Sequence, residues 1–360
     1  MDFVSLFQKT VIRFLFSTGI FFQACESDVS CRNDDGDEVD WYILYKLPNM
    51  NDGGLSYLYM DESTNGWIPS QENINSNSGT LAHTLKPLLD FYDRKMAGFG
   101  YLLYNDQPSE LKPAPASFGH SKGVVMLDER TGVWLSHSTP KFPTYQSKDF
   151  WPPSGNANAQ TFICVTYSYA SFKQIGLQLQ YIHAFSYDSS IPKTFLPDLR
   201  CVALRTCYPK TTPWFRLMTL TSVNGQRFTS FAKYTRFGDD IYSGFIVNHL
   251  KQDLYVKSWG KMRRPLPSNC SIPHNVYNVK KVQLPGTRSF SHTVDHSKWS
   301  VTADRGWTCI ADMNREMSQM GRGGGAICIN DAVIGDAFYS LIRETEQCGS
   351  EHAGVPQKEL

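Results

Sequence analysis

The sequence predicts a mixed α/β fold in which two halves of one chain contribute to a single site. Three observations point there. Runs rich in β-branched and aromatic residues alternate with helical patterns along both halves of the 360 residues. A His-Ser-Lys tripeptide occurs twice, as His120-Ser121-Lys122 and His296-Ser297-Lys298, about half a chain apart. Of nine cysteines, Cys25 falls in an N-terminal leader, which leaves eight, an even number suited to disulfides in an oxidising compartment.

Hydrophobic content of 41% with 19% charged residues excludes global disorder. The formal charge of +1 carries no general signature of a polyanion binder, so a nucleic-acid site requires local charge, or protonation of some of the nine histidines. Lys9 and Arg13 precede an apolar stretch from Phe14 to Phe22, which is too short to span a bilayer and fits a secretory signal over residues 1–27. No later segment reads as transmembrane, so the processed chain is expected to be secreted or lysosomal and free of the membrane. Spacing alone does not pair eight cysteines, and the absence of any CxxC argues against a zinc site. Asn269-Cys270-Ser271 is the one glycosylation sequon.

Taken in order, the acidic residues 34–38 lack the ligand spacing of a calcium loop and read as a solvated turn. Residues 39–47 read as a strand ended by Pro48, with further strands over 55–60 and 98–104 and a helix over 80–95. After the first tripeptide, Val124-Val125-Met126-Leu127 is a continuous apolar run, the pattern of a strand buried on both faces. A second strand, 132–138, holds His137. Residues 141–160, with Pro143, Pro152, Pro153 and Gly155, read as loop, 162–167 as strand and 169–180 as helix. Residues 192–213 look irregular. Asn224-Gly225 between two strand-like runs signals a hairpin over 215–234 with a type I′ turn. Residues 239–250 and 331–343 read as helices, the latter with Ile334, Ala337, Phe338 and Leu341 on one face, and 254–259 and 276–284 as strands.

On a strand, residues two apart share a face, so each His-x-Lys presents an imidazole and an ammonium to one place. A phosphodiester is hydrolysed without metal when a nucleophile, an acid for the leaving oxygen and fixed positive charge meet at one phosphorus. Two histidines supply the first two roles and two lysines the third. One such tripeptide is ordinarily a solvated turn; two that face each other are a site. Which histidine attacks is left open by the motif. Arg322 to Gly325 reads as either a phosphate-binding nest or a glycine-rich turn. His292 and His296 match half of a helical zinc motif but lack its glutamate.

Beyond these pairs, Val39-Asp40-Trp41, Tyr45 to Pro48, Gly119 to Val124, Leu135 to Pro140, Ser230 to Lys233, Phe237 to Gly244, Pro267 to Ser271, Asp295 to Trp299, Trp307 to Cys309, Asp312 to Arg315 and Arg322 to Gly325 follow one another along the chain. In residues and order they resemble the deoxyribonuclease II family. The resemblance implies a phospholipase D-like fold, with two α/β/α-sandwich halves about a pseudo-two-fold axis, divided here as 28–185 and 186–360. It implies an acid endonuclease acting on DNA without a cofactor or divalent metal, leaving 3′-phosphate and 5′-hydroxyl ends through a phosphohistidine. It assigns His120, Lys122, His296 and Lys298 to the catalytic pairs, adds His137, and places Asn314 where the wider superfamily contacts phosphate. It pairs Cys31 with Cys164, Cys270 with Cys348 and Cys309 with Cys328, leaving Cys201 for Cys207. Leu127 and Ala303 stand where that superfamily carries an aspartate five residues after each lysine, so another group must orient each imidazole. A lipid phosphodiesterase, or a catalytically silent DNA-binding or host-interaction protein of the same fold, are the rival readings.

Overall fold

The computed structural model describes residues 29–349. The leader expected over 1–27, with Cys25, lies outside them. A small ribbon pairs β1 (Cys31–Arg32) with β2 (Glu38–Val39). The first sheet follows, built from β3 (Trp41–Lys46), β4 (Tyr57–Asp61), β5 (Ile68–Pro69), β6 (Gly100–Asn105), β7 (Lys122–Leu127), β8 (Thr131–His137), β9 (Gln160–Ser168) and β10 (Ser186–Ser190). Its spatial order is β10-β6-β7-β8-β9-β3-β4-β5. The second sheet uses β11 (Phe215–Thr221), β12 (Arg227–Lys233), β13 (Leu254–Lys257), β14 (Val276–Val282), β15 (Phe290–Ser291), β16 (Trp299–Thr302), β17 (Trp307–Ala311), β18 (Gly324–Asn330) and β19 (Ile342–Thr345). Its order is β11-β12-β18-β17-β16-β13-β14-β15, with β19 also on β14.

The two sheets share a pairing pattern around the tripeptides. β7, which takes up the first lysine, lies between β6 and β8, and the order runs on through β9 to β3. β16, which follows the second lysine, lies between β13 and β17, and the order runs on through β18 to β12. Every one of these pairs is antiparallel.

Burial explains why the run at 124–127 carries no alternation. Val125 and Leu127 face a core shared by both sheets, whereas Val124 and Met126 face the opposite side, where α1 (Thr80–Asp93) packs through Leu81, Leu85, Leu88 and Phe91. The shared core takes α2 (Phe172–Ile182) through Phe172, Ile175, Leu179 and Ile182, α3 (Pro197–Ala203) through Leu199 and Val202, and α5 (Ala332–Tyr339) through Ile334 and Phe338. On the outer face of the second sheet, Ile241, Tyr242, Ile246 and Val247 cover Phe231, Val256 and Cys328. Disulfides join Cys31 to Cys164, Cys201 to Cys207, Cys270 to Cys348 and Cys309 to Cys328.

Several local expectations differ from what forms. At the β11–β12 hairpin Gly225 N–H bonds Ser222 O, and only Gly225, at φ 96°, is left-handed there. This is a turn centred on Val223–Asn224 followed by a left-handed glycine, not the type I′ turn, which needs Asn224 at positive φ as well. Asp40 Oδ1 holds Asn224 N–H at 2.9 Å and so favours this alternative. The helix expected over 331–343 stops at Tyr339, because β14 takes residues 342–345 as an edge strand. Residues 239–250 form a π-helical turn, Tyr242–Ile246, before α4 (Val247–Leu250), and the irregular stretch 192–213 contains α3. Within the acidic turn, Asp34 is half-buried and caps α1, accepting from Thr80 N–H at 3.0 Å.

Candidate active site

Lys122 opens β7 and Lys298 immediately precedes β16, so both tripeptides enter central strands of their sheets. His120, Lys122, His296, Lys298 and Asn314 line one cavity of about 110 Å³, together with Gln107, Ser138, Pro140, Trp259 and Met262. Reciprocal backbone hydrogen bonds bring them there. His120 N–H bonds Gly323 O at 2.8 Å, just before β18, and His296 N–H bonds Ala159 O at 2.9 Å, just before β9. Each histidine is thus pinned by the sheet opposite its own.

This close approach needs glycine. A Cβ on Gly119 or on Gly323 would stand 2.1 Å from the carbonyl oxygen of Ile182, the last residue of α2. None of Gly323, Gly324 and Gly325 has a left-handed φ, so the run from Arg322 is not the alternating backbone of an anion nest. Its glycines serve the contact between the halves, and Arg322 donates to Phe118 O at 3.2 Å and Gly119 O at 3.1 Å.

The first pair is enclosed by charge partners. His120 Nδ1 donates to Asp312 O at 2.8 Å, which leaves the lone pair of the neutral ring on Nε2. That Nε2 stands 3.9 Å from Asp106 Oδ2. Asp106 also binds Lys122 Nζ directly and meets Arg322 Nη2 at 3.4 Å. Burial by itself would raise the Asp106 pKa, but Lys122, His120 and Arg322 outweigh it and hold the carboxyl well below its usual range.

The second pair has no such counter-charge. Lys298 Nζ donates to the carbonyl of His296 at 2.6 Å, and no carboxylate pairs with it among the described residues. The His296 ring meets Trp259 edge-on, with centroids 3.9 Å apart. Behind it, Asp295 accepts from Tyr45 Oη at 2.6 Å and from Ser297 N–H at 2.9 Å, and pairs with buried Lys257 at 3.1 Å. These contacts fix the loop that carries His296 rather than its imidazole.

Burial and the surrounding lysines push every imidazole here toward the neutral form. Burial acts first, then Lys122, Lys298 and Arg322, bringing His120 to about 3 against the opposing pull of Asp106. Burial, then Lys298, Lys122 and Lys257, bring His296 to about 2. Lys298 falls to about 7 through burial and its two lysine neighbours.

Asn314 Oδ1 accepts from Trp259 N–H at 3.1 Å, which leaves its NH₂ for the cavity it lines. His137 does not reach the cavity. It is buried, stacks on Phe162 with its centroid at 5.6 Å and meets Phe142 edge-on at 4.9 Å. Its Nδ1 accepts from Thr139 N–H at 3.2 Å, and Nε2 has no partner among the described residues. It therefore underlies the strand end that presents Ser138 and Pro140.

Sequence reasoning missed Asp106, Asp312 and Trp259. The two acids carry no periodic signal, because one stands just after a strand and the other acts through its backbone carbonyl. Trp259 begins the run Trp259-Gly260-Lys261-Met262-Arg263-Arg264, whose cations beside an aromatic residue are a legible nucleic-acid signature.

Comparison with known proteins bears on what such a cavity does. Residues 30–348 match the family described as Deoxyribonuclease II. The chain is 39% identical to deoxyribonuclease-2-alpha of Mus musculus, over 89% of this chain and 94% of that protein. It is 37% identical to deoxyribonuclease-2-beta of Homo sapiens, over 92% and 94%, and 38% identical to plancitoxin-1 of Acanthaster planci, over 89% and 92%. Among the described residues, no helix is long and apolar enough to cross a membrane.

Proposed function

We propose, from the premise that this chain belongs to the deoxyribonuclease II family and is a deoxyribonuclease of phospholipase D-like α/β fold, that it hydrolyses DNA at the cavity where the two His-x-Lys pairs meet. The observation that carries this is the shared lining of one cavity by His120, Lys122, His296 and Lys298.

In the first step His120 Nε2 attacks phosphorus, the P–O5′ bond breaks, and His296 gives its proton to the departing O5′. This leaves a 5′-hydroxyl and a phosphohistidine still joined to the 3′ oxygen. In the second step His296 takes a proton from water, whose oxygen attacks phosphorus as the P–N bond breaks, leaving a 3′-phosphate. Lys122, Lys298 and the NH₂ of Asn314 hold the non-bridging oxygens, on which charge grows in both steps. Tying His120 Nδ1 to Asp312 O supports the nucleophile assignment, because the attacking atom must be an unprotonated Nε2.

An acid optimum follows from the same surroundings. His296 must be charged to act as acid, yet burial and three lysines hold its pKa at about 2 in the empty cavity. A bound phosphodiester offsets the lysines and raises that value, so protonation depends on substrate and low pH together. The four disulfides suit a secreted or lysosomal setting. The test is a pH–rate profile on plasmid DNA with chelator present. Cleavage that rises as pH falls from 7 toward about 5 is expected; an optimum above neutrality, or loss of activity with chelator, overturns the reading. Choline release from phosphatidylcholine without DNA cleavage would favour the lipid phosphodiesterase instead.

A further inference from the structure

The rim of the cavity is uneven. On the side of the second sheet, Trp259 and Met262 turn inward to line the cavity, whereas Lys261, Arg263 and Arg264 between and beyond them are exposed. None of these three cations has an ion-pair partner among the described residues, and Lys261 Nζ stands 5.7 Å from the centroid of the Trp259 ring.

The segment is held as a fixed ledge. Trp259 N–H bonds Asn314 Oδ1, Gly260 N–H bonds His292 O at 3.0 Å, and Met317 N–H bonds Arg264 O at 3.0 Å. A Cβ on Gly260 would come 2.6 Å from the His292 ring, so glycine lets the backbone lie against it. Pro265 then bridges to Glu316. Across the cavity the chain near Gln107 offers no matching run: an exposed cation, Lys141, whose N–H bonds Gln107 O at 2.8 Å, stands there beside buried Asp106 and exposed Glu110.

We propose that residues 259–264 form a DNA-gripping arm, in which Lys261, Arg263 and Arg264 bind backbone phosphates of the nucleotides flanking the scissile bond. This rests on the nuclease reading of the adjoining cavity. With a net charge of +1 spread over the whole chain, three unpaired cations within four residues at the mouth of that cavity are a concentrated complement to a polyanion. The run of three stands on one rim, against Lys141 on the other, so its grip is concentrated on one side of the cut. Because its backbone is already fixed, binding costs little loop ordering.

The test replaces Lys261, Arg263 and Arg264 together by glutamine in the full chain. Binding of a short labelled duplex is measured across a salt series in a His120→Ala background, and plasmid cleavage is measured with His120 intact. The arm predicts a Kd about tenfold or more weaker, and a dependence of log affinity on log salt shallower by about 2 to 3, one increment of about 0.9 per lost phosphate contact. In cleavage, KM is expected to rise by more than kcat falls. A matched loss of charge at Lys86, Lys95 and Lys148, on and beside α1, is the comparison for net charge. A triple variant that keeps the parent's salt slope and KM, or that shifts them no more than the matched control does, overturns the arm. A parent that fails to cut DNA instead overturns the nuclease reading itself, so the two failures are distinguishable.

Discussion

The same tripeptide is set in two different surroundings in the two halves. After β6 the chain continues with Asp106, which binds Lys122, faces His120 and meets Arg322. After β13, the strand that pairs with β16 as β6 pairs with β7, it continues with Ser258 and Trp259. The first pair is therefore neutralised and oriented before substrate arrives. Among the described residues the second has no carboxylate paired with its lysine, and its imidazole meets an aromatic edge. One motif can serve two chemical roles because charge and hydrogen bonding are set by residues outside it: a fixed, neutral ring suits attack, and a ring whose charge depends on substrate and pH suits proton transfer.

The largest effect expected in breaking this comparison comes from the histidines themselves. His120→Ala and His296→Ala should each lower DNA cleavage by about 10³-fold or more, measured on plasmid at acid pH. Asp106→Asn comes next, since it leaves Lys122 and Arg322 without their counter-charge. Losing one partner of a buried cluster of this kind costs on the order of 3 kcal/mol of stability, to be read by denaturant melts. The equivalent change on the other side has no carboxylate to remove, so Ser258→Ala should cost only about 1 kcal/mol, from the bond that Arg315 N–H gives its Oγ at 3.3 Å.

Trp259→Ala should lower kcat by about tenfold and move the limb where activity is lost to higher pH. The reason is that water then reaches His296 and relieves the burial that depresses it. Trp259→Phe should restore most of the rate and the parent's profile, whereas a purely structural tryptophan would change rate without moving the limb.

A further effect concerns Asp312, whose carboxyl burial pushes up to about 7. A folded-state pKa above the unfolded value means the native protein holds the extra proton between the ordinary carboxylate range and about 7. Its contribution to stability is then present at low pH and lost as pH rises through that window. Asp312→Asn should flatten this part of the pH dependence relative to the parent, read as the difference in melting temperature between about pH 4 and pH 7; an unchanged difference would contradict it.

Much of the fold was legible because local signals agreed with it. Val124 to Leu127 declared a doubly buried strand, and the 80–95 pattern anticipated α1 to within two residues at its C-terminal end. The two pairs were legible as a site because the tripeptide recurs, although His120, His296 and Lys298 lie just before their strands rather than on them. What local pattern does not encode is partnership across the halves. Gly119 and Gly323 look like turn glycines until Ile182 is seen between them. Asp312 gains meaning from His120, 192 positions away, and Asp106 from Lys122 and His120 together with the distant Arg322, while His137, attractive by motif, lies beneath the cavity rather than in it. The hairpin turn differed because Asp40, far away in sequence, holds Asn224.

The central claim is that the pairs act on one phosphorus with unequal roles, and covalent trapping tests it most directly. Thymidine 3′-(p-nitrophenyl phosphate) has a leaving group that needs no acid, so its nitrophenolate should depart even from the His296→Ala variant. Without the base for the second step, a thymidine phosphoryl adduct should accumulate on His120, identified by mass spectrometry of peptides from quenched protein. The His120→Ala variant should give none. An adduct on His296 in the His120→Ala protein, or no adduct on either histidine, would contradict the account.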